Sequence, residues 1–209
     1  MYRWLGGALA ALVITSIPAT AQDVGITSEM KSASFSIRGA TKEISRNQDV
    51  DNRLSPEFTK TSRPCPPFCI APIAADDGVA TLGELEVIEF LKTKASDGSG
   101  LLIDSRVPEW FAKGTIPGAV NVPFATVDAK NPYRDEILKA LGAVNTGNGW
   151  DFDGALELVL FCNGPWCEQS LRAIHSLRAA GYPAEKLGYY RGGMQVWILL
   201  GLTVEKPNT

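Results

Sequence analysis

Four cysteines stand in two close pairs, Cys65 with Cys69 and Cys162 with Cys167, in a chain of 209 residues. That is too few to scaffold a chain of this size, so the pairing points instead to redox or sulfur chemistry. Cys162 has the more telling surroundings. It follows an apolar run, Leu156 to Phe161, and begins the segment Cys162-Asn163-Gly164-Pro165-Trp166-Cys167. Gly164 and Pro165 force a turn there, and Gln169 to Ala180 then reads as a helix ended by Gly181. A short loop between a strand end and a helix start curls its backbone N–H groups inward into an anion cradle, reinforced by the partial positive charge of the helix N-terminus. Pro165 contributes no N–H. Such a cradle favours thiolate over thiol and lowers the pKa below the usual value of about 8.5. A sulfur kept anionic and accessible is the chemistry expected of Cys162.

The elements that must hold this loop alternate between helix and strand in the manner of an α/β domain with a parallel sheet. Thr81-Leu82-Gly83-Glu84 has the form of a capping box, opening a helix whose apolar face is Leu85, Val87, Ile88 and Leu91. Leu101 to Asp104 is a buried strand, Val107 to Ala112 a short helix, and Ala119 to Val122 another strand. Pro132 to Leu141 is a helix stopped near Gly142, and Leu156 to Phe161 is the strongest strand. Leu187 to Tyr190 is the last strand, running through Gly192-Gly193 into an apolar helix around Met194 to Leu200. In open sheets of this kind the working site lies beyond the carboxyl ends of the strands, which is where Cys162 falls. From Gln22 to about residue 78 the chain is polar and irregular, with one strand signal at Ser34 to Ile37 and a Pro-rich stretch around Cys65 and Cys69. It is expected to form an arm wrapping the domain formed by residues 79–209.

Arg3, the apolar run from Trp4 to Pro18 and the small residues Ala19-Thr20-Ala21 read as a leader, 1–21, cleaved before Gln22. The run is shorter than the roughly 20 apolar residues that cross a bilayer. A periplasmic or secreted protein is therefore expected, with no membrane attachment after cleavage. The formal charge of −3, without a basic stripe, offers no footing for nucleic acid. Partners are sought among small molecules and proteins, no cofactor or metal is expected, and the oligomeric state is open.

The strand, cysteine loop and helix resemble the rhodanese family, over about residues 79 to 205. Leu102-Ile103-Asp104-Ser105-Arg106 resembles its aspartate-x-arginine motif, Glu109-Trp110 the following acidic-aromatic pair, and Gly114-Thr115-Ile116-Pro117-Gly118-Ala119 its signature turn. Tyr189-Tyr190-Arg191-Gly192-Gly193-Met194 with Trp197 resembles its closing segment. The resemblance implies a three-layer domain, with a central, mostly parallel sheet flanked by helices. It also implies a sulfurtransferase in which Cys162 takes sulfur from a small donor, becomes a persulfide, and hands the sulfur to a thiol or protein acceptor. The amides of the loop, Asn163 through Cys167 with Pro165 excepted, would stabilise both anions. Asp104 and Arg106 would tie the rim of the sheet to its loops, with an Arg106–Glu109 ion pair expected. His175, the single histidine, falls in the helix after the loop and is expected to be packed or exposed and not catalytic.

Three features depart from the family pattern. Members that use thiosulfate usually carry a basic residue at the loop, whereas Glu168 stands here, with Arg172 positioned as its i,i+4 partner. A different donor, or a protein partner, is therefore expected ahead of free thiosulfate. Thr115 replaces a histidine often found in the signature turn. Cys167 is either a resolving thiol, able to close a disulfide on a modified Cys162, or a small buried residue. For Cys65 and Cys69 a structural disulfide is expected outside the cytoplasm, with a dithiol relay to Cys162 as the alternative. Two rival functions follow. One is a silent or redox-sensing module locked by a Cys162–Cys167 disulfide. The other, a phosphatase, is disfavoured because Glu168 stands where a phosphate-clamping arginine would be needed.

Overall fold

The computed structural model describes residues 23–207; the expected leader, 1–21, and its cleavage site lie outside them. The chain forms β1 (Ser32–Ile37), β2 (Ala40–Ser45), α1 (Pro56–Thr59), β3 (Ala80–Leu82), α2 (Glu84–Phe90), β4 (Gly100–Asp104), α3 (Pro108–Phe111) and β5 (Val120–Asn121). It continues through α4 (Arg134–Ala140), β6 (Val144–Asn145), β7 (Trp150–Asp151), β8 (Glu157–Phe161), α5 (Gln169–Ala179), β9 (Leu187–Tyr190) and α6 (Gly193–Leu199). A five-stranded sheet in the order β3-β9-β8-β4-β5 is the frame, and every neighbouring pair in it is parallel.

A parallel sheet is covered on both faces, so its central strands are apolar throughout instead of alternating with polar residues. Successive side chains still point to opposite faces. In β8, Leu158 and Leu160 enter one core with Leu138, Leu171, Ile174 and Leu177 of α4 and α5. Val159 and Phe161 enter the other with Val87, Ile88, Leu91 and Trp197. The same division sends Leu187 and Tyr189 of β9 one way and Tyr190 the other. With β8 between β4 and β9, the residue that follows Phe161 emerges at the middle of the sheet's carboxyl edge.

Two local expectations change. The α2 cap is Gly83 and not Thr81: Thr81 belongs to β3, paired with Tyr189, and its hydroxyl donates to Ile73 O at 2.8 Å. Glu86 completes the cap by accepting the Gly83 N–H at 3.0 Å. Leu85, expected on the apolar face, is exposed, and the helix continues past Phe90 as a π-helical turn, Leu91–Ala95.

The arm is more ordered than expected. Ser-Ala-Ser-Phe-Ser-Ile alternates with period two, and β1 pairs antiparallel with β2 in register from Ser32↔Ser45 to Ile37↔Ala40. The turn residues Arg38 and Gly39 both have positive φ, 50° and 78°, as a two-residue hairpin of matching twist requires. Ala33, Phe35, Ile37 and Ile44 of the hairpin, with Phe58 of α1, enter the same core as Val87 and Trp197. Beyond α1 the Pro-rich stretch crosses the carboxyl edge of the sheet. There Ala71 N–H donates to Pro165 O at 2.7 Å and Arg191 holds Ala71 O at 2.9 Å.

Candidate functional site

The first amides of a helix lack partners within it and must find acceptors elsewhere. In α6 they find the cysteine loop: Met194 N–H donates to Cys162 O at 3.0 Å and Gln195 N–H to Asn163 O at 2.9 Å. In a trans peptide the N–H points opposite to the C=O of the same unit. Fixing Asn163 O on α6 therefore turns the Gly164 N–H to the other side, toward the sulfur. Gly193 makes this docking close. Its φ is 55°, and a Cβ there would lie 2.4 Å from Cys162 O and 2.7 Å from Gly164 N.

Cys162 is 2% exposed and Cys167 6%, and both are free thiols. The expectation of an open sulfur is thus corrected: the loop closes around it. Ser170 Oγ donates to Cys162 Sγ at 3.2 Å, and the protonated Sγ donates to Cys167 O at 3.2 Å. Burial alone would push the Cys162 thiol up. Hydrogen bonds from the Cys167 thiol, the Ser170 hydroxyl and the backbone N–H groups of Ser170 and Gly164 outweigh it and bring the group down to about 7. The Cys167 thiol moves strongly the other way, because its proton is held against Cys162 and because it is buried. When the pair loses a proton, the charge therefore falls on Cys162, while Cys167 keeps its hydrogen.

Of the loop amides expected to form the cradle, Gly164 serves Cys162, while that of Asn163 acts on Cys167 together with the Gln169 amide from the start of α5. The Cys167 N–H closes a turn on Gly164 O at 2.9 Å. Ser170, which sequence reasoning missed, supplies both a hydroxyl and an N–H. A serine in the first turn of a helix looks like a capping residue, and nothing in its spacing distinguishes it.

Asp104 and Arg106 are buried at 0% and 1% exposure. The ion pair expected between Arg106 and Glu109 is instead a two-pronged pair with Asp104, Nε to Oδ1 at 2.8 Å and Nη2 to Oδ2 at 2.5 Å. Glu109 lies exposed on α3. The reason is position: Asp104 ends β4 two residues before Arg106, and both turn into the protein, whereas α3 presents Glu109 to solvent. Arg106 also holds Gly114 O at 2.7 Å and reaches Asn163 Oδ1 at 3.3 Å, which ties the rim to the cysteine loop. Thr115 donates to Asp104 Oδ2 at 2.7 Å, so the residue in place of a histidine completes the carboxylate's shell.

Cys65 and Cys69 are bonded to each other, their Cα atoms 4.6 Å apart. The turn they close carries Phe68 against Trp166 of the loop, ring centroids 5.8 Å apart, and the Arg63 guanidinium lies 3.8 Å above the same indole. Trp166 Nε1–H donates to Gln195 Oε1 at 2.6 Å. Glu168 and Arg172 pair at 3.5 Å, as their spacing predicts, and His175 places Nε2 2.8 Å from Ala75 O on the exposed side of α5. The structure thus assembles the loop residues and brings the Cys65–Cys69 turn over them, while Glu109 stays apart. Among the described residues there is no cluster of three or more His, Cys, Asp or Glu able to hold a metal ion, and no helix long and apolar enough to cross a membrane.

The model of the Rhodanese-like domain matches residues 87–199. Among curated proteins, an HTH-type transcriptional regulator of Mycobacterium tuberculosis is 29% identical over 109 residues, 52% of this chain and 39% of that protein, so the match spans well under half of that relative's length. Among solved structures, thiosulfate sulfurtransferase from Pseudomonas aeruginosa is 20% identical over 66% of this chain and 22% of its own, with a TM-score of 0.46. The human single-domain sulfurtransferase is 24% identical over 59% of this chain and 97% of its own, with a TM-score of 0.39. A protein of Rhodopseudomonas palustris described as a possible tyrosine phosphatase is 23% identical over 63% of this chain and 88% of its own, with a TM-score of 0.45.

Proposed function

Because the chain belongs to the rhodanese-like domain family, we propose that it is a sulfur carrier that forms a persulfide on Cys162 in an exported compartment. The observation carrying this reading is the set of donors converging on one sulfur: the Gly164 and Ser170 amides, the Ser170 hydroxyl and the Cys167 thiol hold Cys162 near 7 despite its burial. The same donors suit the persulfide anion, so no separate base is required. The Cys162 thiolate attacks the outer sulfur of a donor. A Cys162 S–S bond forms, the donor's own bond to that sulfur breaks, and the leaving group departs with the electron pair. An acceptor thiolate then attacks the outer sulfur, its S–S bond forms, and Cys162 leaves as thiolate. Sulfur and electrons balance without an outside oxidant or reductant.

The 2% exposure of Cys162 sets a condition on this chemistry: the reacting sulfur of the donor must enter at the loop's rim, where Cys167 and Trp166 line a cavity. Export is supported by the leader-like residues 1–21 and by the closed Cys65–Cys69 bond, which suits an oxidising compartment. A redox-sensing alternative draws on the hydrogen bond between the Cys167 and Cys162 sulfurs, since an oxidant that joined them would silence the carrier. Intact-protein mass spectrometry after incubation with sulfur donors tests the main reading. Wild-type protein is expected to gain a sulfur atom, and Cys162→Ser none, with the circular dichroism unchanged. Equal labelling of both would refute the role, and loss of both free thiols without added sulfur would favour the alternative.

A further inference from the structure

A cavity of about 270 Å³ opens beside the loop. The loop and α5 contribute Trp166, Cys167 and Gln169; the arm contributes Arg63 and Phe68. Sites for small molecules are typically apolar and aromatic hollows of this order of size, with a few placed polar groups. An inorganic sulfur anion would leave most of this one empty.

The polar groups here are unusual in lacking partners. Arg63 Nε and Gln169 Oε1 are both buried without a hydrogen bond, in a class of atoms that proteins otherwise pair. One is a donor and the other an acceptor. The charges are just as selective. Arg172, also at the cavity, is paired with Glu168 at 3.5 Å and stacked 4.4 Å from the Phe124 ring centre, so its charge is offset. Arg63 faces no carboxylate within ion-pair reach among the described residues; its Nη2 donates to Glu57 O at 2.8 Å, and its guanidinium carbon sits over the Trp166 ring. Among its lining side chains the cavity therefore offers one guanidinium not paired with a carboxylate, which suits a ligand that brings a single carboxylate of its own.

We infer that this cavity is the subsite for a low-molecular-weight organic thiol bearing a carboxylate, with Arg63 and Gln169 as its specificity-determining residues. The carboxylate accepts from Arg63 Nε–H, an N–H or O–H of the ligand donates to Gln169 Oε1, and the body of the ligand lies among the aromatic rings. The inference rests on the sulfur-carrier reading, for which it names the acceptor class. The ligand's thiolate attacks the outer sulfur of the Cys162 persulfide; its new S–S bond forms, the Cys162 S–S bond breaks with its electron pair returning to Cys162, and the ligand leaves as a persulfide. Arg63 precedes the segment that matches the family, 87–199, so this selectivity belongs to the arm.

The test compares N-acetylcysteine with its carboxamide as acceptors for protein loaded from inorganic polysulfide. Wild type is expected to show a KM about tenfold lower for the acid, the worth of one charge-assisted hydrogen bond. Arg63→Ala is expected to equalise the two, and Arg63→Lys to keep part of the preference. Equal KM values in wild type, or a preference that survives in Arg63→Ala, would overturn the subsite. Loading reads the underlying reaction separately. If polysulfide leaves no sulfur on wild-type Cys162, the carrier reading fails alone, and calorimetric binding of S-methyl-N-acetylcysteine against its carboxamide then decides the subsite by the same tenfold difference.

Discussion

Cys162, just beyond the end of β8, gives up its proton ahead of Cys167, because the Cys167 thiol and then Ser170 donate to it. Ser170 faces Cys162 at 3.2 Å with its hydroxyl and supplies its backbone N–H as well, whereas Cys167 keeps its hydrogen. Alkylation of Cys162 is expected to accelerate as pH rises through about 7 and to level off above it. Removing a donor to the charged form raises a pKa, so Ser170→Ala should move that midpoint upward by about one unit, read from pH-dependent labelling of single-cysteine peptides. The folded value lies below the ordinary thiol value. The thiolate therefore contributes stability that is complete above the unfolded value and is lost as pH falls through about 7. At this scale the sequence shows the candidate nucleophile, because Gly164 and Pro165 between a strand and a helix mark a loop. It does not show Ser170, and it cannot choose the partner of Arg106. Asp104 and Glu109 are both acids within reach along the chain, and only the way β4 ends and α3 turns outward selects Asp104.

The loop is shaped less by its own residues than by the element docked on it. Two α6 amides grip the carbonyls of Cys162 and Asn163, and Arg106 holds the Asn163 side chain from the other direction. Gly193→Ala would place a methyl group inside contact distance of Cys162 O while requiring a positive φ of a residue that resists it. The expected outcome is a loss of about 1–3 kcal/mol in denaturant unfolding, together with slower sulfur loading than wild type at pH 7. A normal rate in the variant would mean that α6 does not set the cradle. The period of hydrophobic residues revealed α2, α4, α5 and α6 and the central strands, since burial on one or both faces writes itself into the sequence. It misplaced the start of α2, because Thr81 has the chemistry of a cap but is claimed by pairing with β9.

The sheet's two faces are closed by different parts of the chain, and one of them depends on the arm. Phe35, Ile37, Ile44 and Phe58 are buried against α2 and α6. Each large apolar side chain withdrawn from water contributes about 1.5–3 kcal/mol, so the four together are comparable with the whole stability of a typical domain, about 5–15 kcal/mol. Protein beginning at Val79 is therefore expected to bind a hydrophobic dye such as ANS and to lose cooperative thermal unfolding. A cooperative transition like that of the longer chain would show the hairpin to be dispensable. The arm was the least legible part of the sequence. Its one alternating run is short, and its prolines say only what it cannot form.

That arrangement has a consequence for how such proteins are compared. The stretch shared with the family, 87–199, carries Cys162 and the loop around it, but it stops short of Arg63 and Phe68, which line a cavity with Trp166 and Cys167 of that loop. If the proposed subsite holds, two chains alike over that stretch need not share a diet, because what this one admits is written in an upstream ribbon outside the matched domain.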